Sequence, residues 1–148
     1  MRELMGMPDI IHSIAINAAP AAVREWVATP DGLAKWWAED VETLADGAVS
    51  LGFFNRTTIY RLRPVEQGAF RVAWRCETGH EWEGTDLIFD LLEKPSGSQL
   101  DFAHRNWRAA TPYFIACNTT WGGLMFRIRA AAEGQGAGPL FRKSALAY

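Results

Sequence analysis

Residues 111–134 read TPYFIACNTTWGGLMFRIRAAAEG, and their spacing predicts one long helix. Thr111 suits the N-cap, because its hydroxyl can accept from a free N–H of the first turn. Pro112 suits the first helical position, where a missing N–H is no loss. Phe114, Cys117, Trp121, Leu124 and Ile128 then recur every three or four residues and form one apolar stripe. Gly134 follows as a helix stop, since glycine adopts the left-handed C′ conformation without strain. A helix with a single apolar stripe must bury it against another layer.

The segment before it supplies that layer. From about residue 40 to 107, short apolar runs alternate with turn signals such as Asp46-Gly47, Asn55-Arg56, Gln67-Gly68 and Ser96-Gly97-Ser98. These read as antiparallel strands near 40–44, 48–54, 57–65, 70–76, 82–92 and 99–107. A further strand spans 10–17, where Ile10, His12, Ile14 and Ile16 share one face. Pro20 then opens a short helix carrying Val23, Trp26 and Val27. Thr29-Pro30 restarts a second, with Leu33, Trp36 and Trp37 on one side. The expected fold is α+β: a seven-stranded, curved antiparallel sheet around the last helix. The chain reads as one domain over 1–148, with its core at about 10–134 and a tail at 135–148.

Composition bounds the function. The formal net charge is −2 and no Lys/Arg stripe exists, so the electrostatic signature of a nucleic-acid binder is missing. No apolar run approaches the ~18 residues a membrane span needs. The first residues, MRELMGMPDIIHS, lack the continuous apolar core of a secretory signal. Cys76 and Cys117 are therefore expected as free, buried thiols in a cytoplasmic protein. Seven tryptophans and eight phenylalanines exceed what a minimal core needs, and large rings also line pockets for apolar molecules.

Five segments carry a family resemblance: IAINAAPAAV, GLAKWW, WRCETGHEWEGTDLIFDLL, LDFAHRNW and CNTTWGGLMFRIRAAAEG. In this order they resemble the START-like, or birch-pollen-allergen-like, superfamily (SRPBCC), whose shape is called the helix grip. Within it the chain is similar to the bacterial branch homologous to the activator of the ninety-kilodalton heat-shock protein's ATPase. The resemblance implies a cavity between the concave sheet and the C-terminal helix, used by relatives for hydrophobic molecules. It also implies that some relatives are cyclases or dehydratases and others contact proteins, which leaves a chaperone partner as an analogy.

Strand parity nominates the cavity residues. Phe70, Val72, Trp74 and Cys76 share one face, as do Thr85, Leu87, Phe89 and Leu91, and then Leu100, Phe102 and His104. Cys117, Trp121 and Met125 should face them, with Trp36 or Trp37 near one end. The candidate ligand contacts are thus Trp37, Trp74, Cys76, Leu87, Phe89, Phe102, His104, Cys117, Trp121 and Met125, around a space of a few hundred Å³. The same residue types would also make a filled core. His104 reads either as a polar anchor or general acid/base in a cyclase, dehydratase or hydrolase, or as a core histidine bonded to a neighbour. No confident catalytic residue emerges.

Other motifs point away from chemistry. His80-Glu81-Trp82-Glu83-Gly84 has glycine where a zinc-protease motif needs its second histidine, in an expected hairpin setting, so no metal or organic cofactor is expected. Asp86 and Asp90 should meet solvent. Arg56, Arg61, Arg63 and Arg75 read as solvated sheet surface or as a rim for an acidic head group. Gly122-Gly123 suggests either a close helix–sheet approach or room beside Trp121. Leu140, Phe141, Leu146 and Tyr148 of the tail could dock back or meet a partner. A homodimer through a sheet edge or the tail stays open.

Overall fold

The computed structural model describes residues 7–136 and 138–143. The elements run β1 (Ile10–Ile16), α1 (Pro20–Ala28), α2 (Pro30–Trp36), β2 (Asp40–Thr43), β3 (Val49–Phe53), β4 (Thr58–Gln67), β5 (Arg71–Thr78), a 3-10 turn (His80–Trp82), β6 (Asp86–Lys94), β7 (Gly97–Arg105) and α3 (Pro112–Ala132). All seven strands form one antiparallel sheet in the order β1-β7-β6-β5-β4-β3-β2. The sheet is therefore a meander from β2 to β7, with β1 added beside β7.

One parity carries the inner face across this sheet. Phe89 lies opposite both Val72 and Phe102, and Leu87 opposite both Trp74 and His104. All six side chains are buried. The alternate residues point outward, where Arg71 pairs with Asp90 and Arg75 with Asp86. Arg61 and Arg63 share Asp46 and Glu77, and Arg56 holds Asp40. The four arginines read as a rim thus each already have a carboxylate.

Local rules place the remaining elements. Register shifts between Arg61 and Leu62 and between Pro64 and Glu66 break the β4–β5 ladder, and such bulges bend a strand. Pro64 costs the sheet no β3 bond, because the β3 pairing ends at Leu62. The Thr29 hydroxyl accepts from Gly32 N at 2.9 Å and caps α2. Trp36 Nε1 donates to Trp26 O and Trp74 Nε1 to Val27 O, which ties α1 to α2 and to β5. Thr111 caps α3 by accepting from Phe114 N. Gly134, with φ +80°, follows its end.

Three expectations change. Phe70 is not on the inner face: it precedes β5 and is 56% exposed. The strand expected from residue 82 starts at Asp86, because the backbone at His80–Trp82 coils into a 3-10 turn instead of running straight from a hairpin. The glycine pair in α3 serves neither purpose assigned to it. A Cβ on Gly122 would meet His12 Cε1 at an ordinary 3.6 Å, and one on Gly123 would meet nothing within 4 Å.

Candidate ligand cavity

The cavity forms where α2, the β3–β4 hairpin, the 3-10 turn and the first half of α3 meet. Trp37 enters from the C-cap of α2, Tyr60 from β4, and Tyr113, Cys117 and Trp121 from α3. Phe53 and Phe54 come from the end of β3. Phe54, Asn55 and Arg56 all have positive φ, so the hairpin turns tightly at the cavity wall.

Trp82 enters through a glycine. Gly79 has φ +124°, a conformation closed to residues with a Cβ. A Cβ there would also stand 2.4 Å from the Tyr60 ring and 2.8 Å from Ile59 O. The bare backbone lets the chain turn against Tyr60, and the 3-10 turn then lays Trp82 flat on that ring. The Tyr60 and Trp82 centroids are 4.0 Å apart at 13°. Trp82 is also 6.0 Å from Trp37 and 6.1 Å from Trp121.

The tail closes one wall. Leu140 N donates to Trp36 O, Phe141 N to Trp37 O, and Glu39 N to Phe141 O. This strap sets the Phe141 ring edge-on against Phe53 at 5.0 Å and Phe54 at 5.7 Å. Phe141 is only 9% exposed, so it docks on its own domain and does not belong to an exposed partner patch. Leu146 and Tyr148 lie outside the described residues.

The open space is about 80 Å³. That is well below the few hundred Å³ expected, because the rings fill most of the volume between helix and sheet. Eight of thirteen lining residues are aromatic and none is Asp, Glu, Lys, Arg or His, so the interior is apolar and uncharged. Its polar lining comprises Thr58, Tyr60, Tyr113, Cys117 and Thr120, with the indole N–H groups of the tryptophans. The Tyr60 and Tyr113 hydroxyls hydrogen-bond each other. Burial pushes the Tyr60 phenol far up and the Tyr113 phenol to about 12. Burial also raises the Cys117 thiol, against the smaller opposing effects of the Trp82 N–H and the Tyr113 hydroxyl. All three groups are therefore neutral at pH 7. Trp82 Nε1 is buried, with only the weakly accepting Cys117 sulfur beside it.

His104 lies behind this cavity and does not line it. It is 0% exposed, and both ring nitrogens are engaged. Trp121 Nε1 donates to Nδ1 at 3.1 Å, so Nδ1 carries no proton. Nε2–H then donates to Thr85 Oγ1 at 2.8 Å, and the Thr85 hydroxyl donates to Trp82 O at 2.5 Å. Burial holds the imidazole pKa well below 6.5, which fits a neutral ring. With both ring nitrogens bonded, His104 links α3, β6 and the 3-10 turn within the core.

Comparisons with known proteins bear on the same architecture. No family model matches the chain, and no curated protein matches it. Solved structures do. The solution structure of the Aha1 dimer from Colwellia psychrerythraea is 26% identical, covers 87% of this chain and 98% of that one, and superposes with a TM-score of 0.73. The fold is the START-like helix grip, of the Aha1 type. A Chromobacterium violaceum protein (20% identical, 84% of this chain, 96% of that one, TM-score 0.68) and a Mesorhizobium loti protein (9%, 86%, 98%, 0.71) share the helix grip alone.

Within this helix grip, three of the ten nominated residues line the cavity, all of them from helices: Trp37, Cys117 and Trp121. Trp74, Cys76, Leu87, Phe89, Phe102, His104 and Met125 are buried in the packed part of the grip. Strand parity states which face a side chain takes, but not where along the helix the packing opens. Tyr60, Trp82, Tyr113 and Phe141 were missed for the site. Each sits outside a regular alternation, on a bulged strand, in a 3-10 turn, near a helix start or in a tail. Among the described residues no three of His, Cys, Asp and Glu converge as a metal site. None of the helices described is long and apolar enough to cross a membrane.

Proposed function

We propose that this protein binds a small hydrophobic or amphipathic molecule in the cavity between the sheet and α3. The supporting observation is a cleft lined mostly by aromatic rings with a few polar groups, the usual composition of a small-molecule site. Relatives implied by the resemblance use the same place in the fold. The enzyme alternative loses its acid/base group, because His104 is fully bonded within the core. Two buried free thiols, Cys76 and Cys117, fit a reducing compartment, and the cytoplasm is the proposed location.

Native mass spectrometry of freshly purified protein, followed by tryptophan-fluorescence titration with apolar probes, tests this reading. Thr120→Phe places a ring in the cavity from α3 and should abolish uptake while leaving the circular dichroism spectrum intact. Absence of any retained molecule, together with no response to any probe, would refute the proposal.

A homodimer is a second reading. The Colwellia protein is a dimer, and Ile115 and Phe126 stand exposed on α3 here. Light scattering across a dilution series should then show a dimer that Phe126→Glu dissociates. A monomer at high concentration would end that reading. A chaperone partner rests on the resemblance alone.

A further inference from the structure

Building on that binding reading, we infer that the ligand is an uncharged molecule no larger than about one aromatic ring, carrying an acceptor oxygen for Trp82 and the tyrosine pair. Charge decides the first part. No ionised side chain lines the cavity, and an unpaired charge placed there would forfeit its hydration without compensation. Size decides the second. An engineered apolar cavity of about 150 Å³ holds benzene, so about 80 Å³ admits at most one ring, and only if a wall yields. Phe141 is the wall that belongs neither to the seven-stranded sheet nor to α3, being carried by the strap 140–143.

Donor and acceptor counting decides the third part. Trp82 is 4% exposed, and its buried Nε1–H has only the Cys117 sulfur, a weak acceptor, beside it. The Tyr60–Tyr113 bond uses one of two hydroxyl hydrogens. The second is left with the Cys117 sulfur, a weak acceptor. Two strong donors thus converge on the Cys117 sulfur, which is only a weak acceptor. A bare buried donor is costly, and a carbonyl or ether oxygen on the ligand would relieve it. Because the surrounding walls are rings, the rest of the molecule should be flat and apolar.

Calorimetric titration with four matched probes separates the possibilities: acetophenone, cumene, phenyltrimethylammonium and benzoate. Acetophenone should bind at least about tenfold more tightly than cumene, which has similar size and no oxygen. Trp82→Phe keeps a ring and removes the donor, so it should erase the difference between acetophenone and cumene, both affinities shifting together with the lost ring volume. Phe141→Ala widens the chamber by a phenyl group and should strengthen binding of both neutral probes. Equal affinities of acetophenone and cumene in both proteins would overturn the acceptor inference while the hydrophobic-cavity reading stands. Tighter binding of phenyltrimethylammonium or benzoate would overturn the uncharged class. Failure of all four probes in the native protein and in Phe141→Ala would overturn both readings.

Discussion

Replacing Thr85 by valine tests the buried chain from Trp121 through His104 to Trp82. Valine keeps the shape of threonine, so no cavity opens and the change is one of hydrogen bonding. His104 Nε2–H loses its acceptor at 2.8 Å in a site with no access to water. Leaving a buried donor bare costs about 1–3 kcal/mol. Trp82 O loses the hydroxyl donor but keeps the Thr85 backbone N–H at 2.9 Å, so its loss is about 0.5–1.5 kcal/mol. The sum is roughly 1.5–4.5 kcal/mol, a large part of the ~5–15 kcal/mol that holds such a domain folded. In a chain of this length it lowers Tm by roughly 5–10 °C. Urea unfolding followed by circular dichroism measures it. The same substitution in a His104→Phe background should cost only the Trp82 carbonyl share, giving a coupling energy of about 1–3 kcal/mol. A Thr85→Val cost under about 0.5 kcal/mol, or an equal cost in both backgrounds, would refute the chain as described.

Four further outcomes follow from the same coordinates. His104 is held neutral below its ordinary 6.5, so the unfolded chain takes up a proton first as pH falls. Stability should therefore drop below pH 6.5 by up to about 1.4 kcal/mol per pH unit from this group, and that slope should vanish in His104→Phe, measured by urea midpoints. Gly123→Ala should stabilise by about 0.5–1 kcal/mol, since the added methyl meets nothing and helix propensity rises; a loss of Tm would contradict the open α3 surface. Gly79→Ala should destabilise by about 3 kcal/mol or more through the positive φ and the Tyr60 contact, and a midpoint unchanged from native would break the account of how Trp82 is placed. Burial raises Cys76 to about 12 and Cys117 upward, so neither thiol should react with Ellman's reagent at pH 8 until the chain unfolds.

The architecture was legible because its signals are local and periodic. The stripe from Phe114 to Ile128 announces a half-buried helix, and the alternation around Trp74, Phe89 and Phe102 announces strands with one buried face. Each rests on the fixed geometry of its element, 3.6 or 2 residues per repeat. The helix cap at Thr111 was legible for the same reason, since a cap is satisfied within three residues. The mistaken stretches, around Phe70 and Trp82, are those where a turn interrupts the alternation.

What the sequence by itself determined is the α+β grip, the inward faces of the strands and the buried positions of both cysteines. Only the tertiary structure decided that the open space lies beside Trp82, Tyr60 and Tyr113 instead of beside Phe89 and Phe102, that His104 is a closed hydrogen-bonded link, and that Phe141 returns to wall the chamber. The physical reason is that a side chain's face follows from its neighbours along the chain. Whether rings fill a volume, or whether an N–H finds an acceptor, depends on atoms brought together from residues 37, 60, 82, 121 and 141 only when the chain has folded.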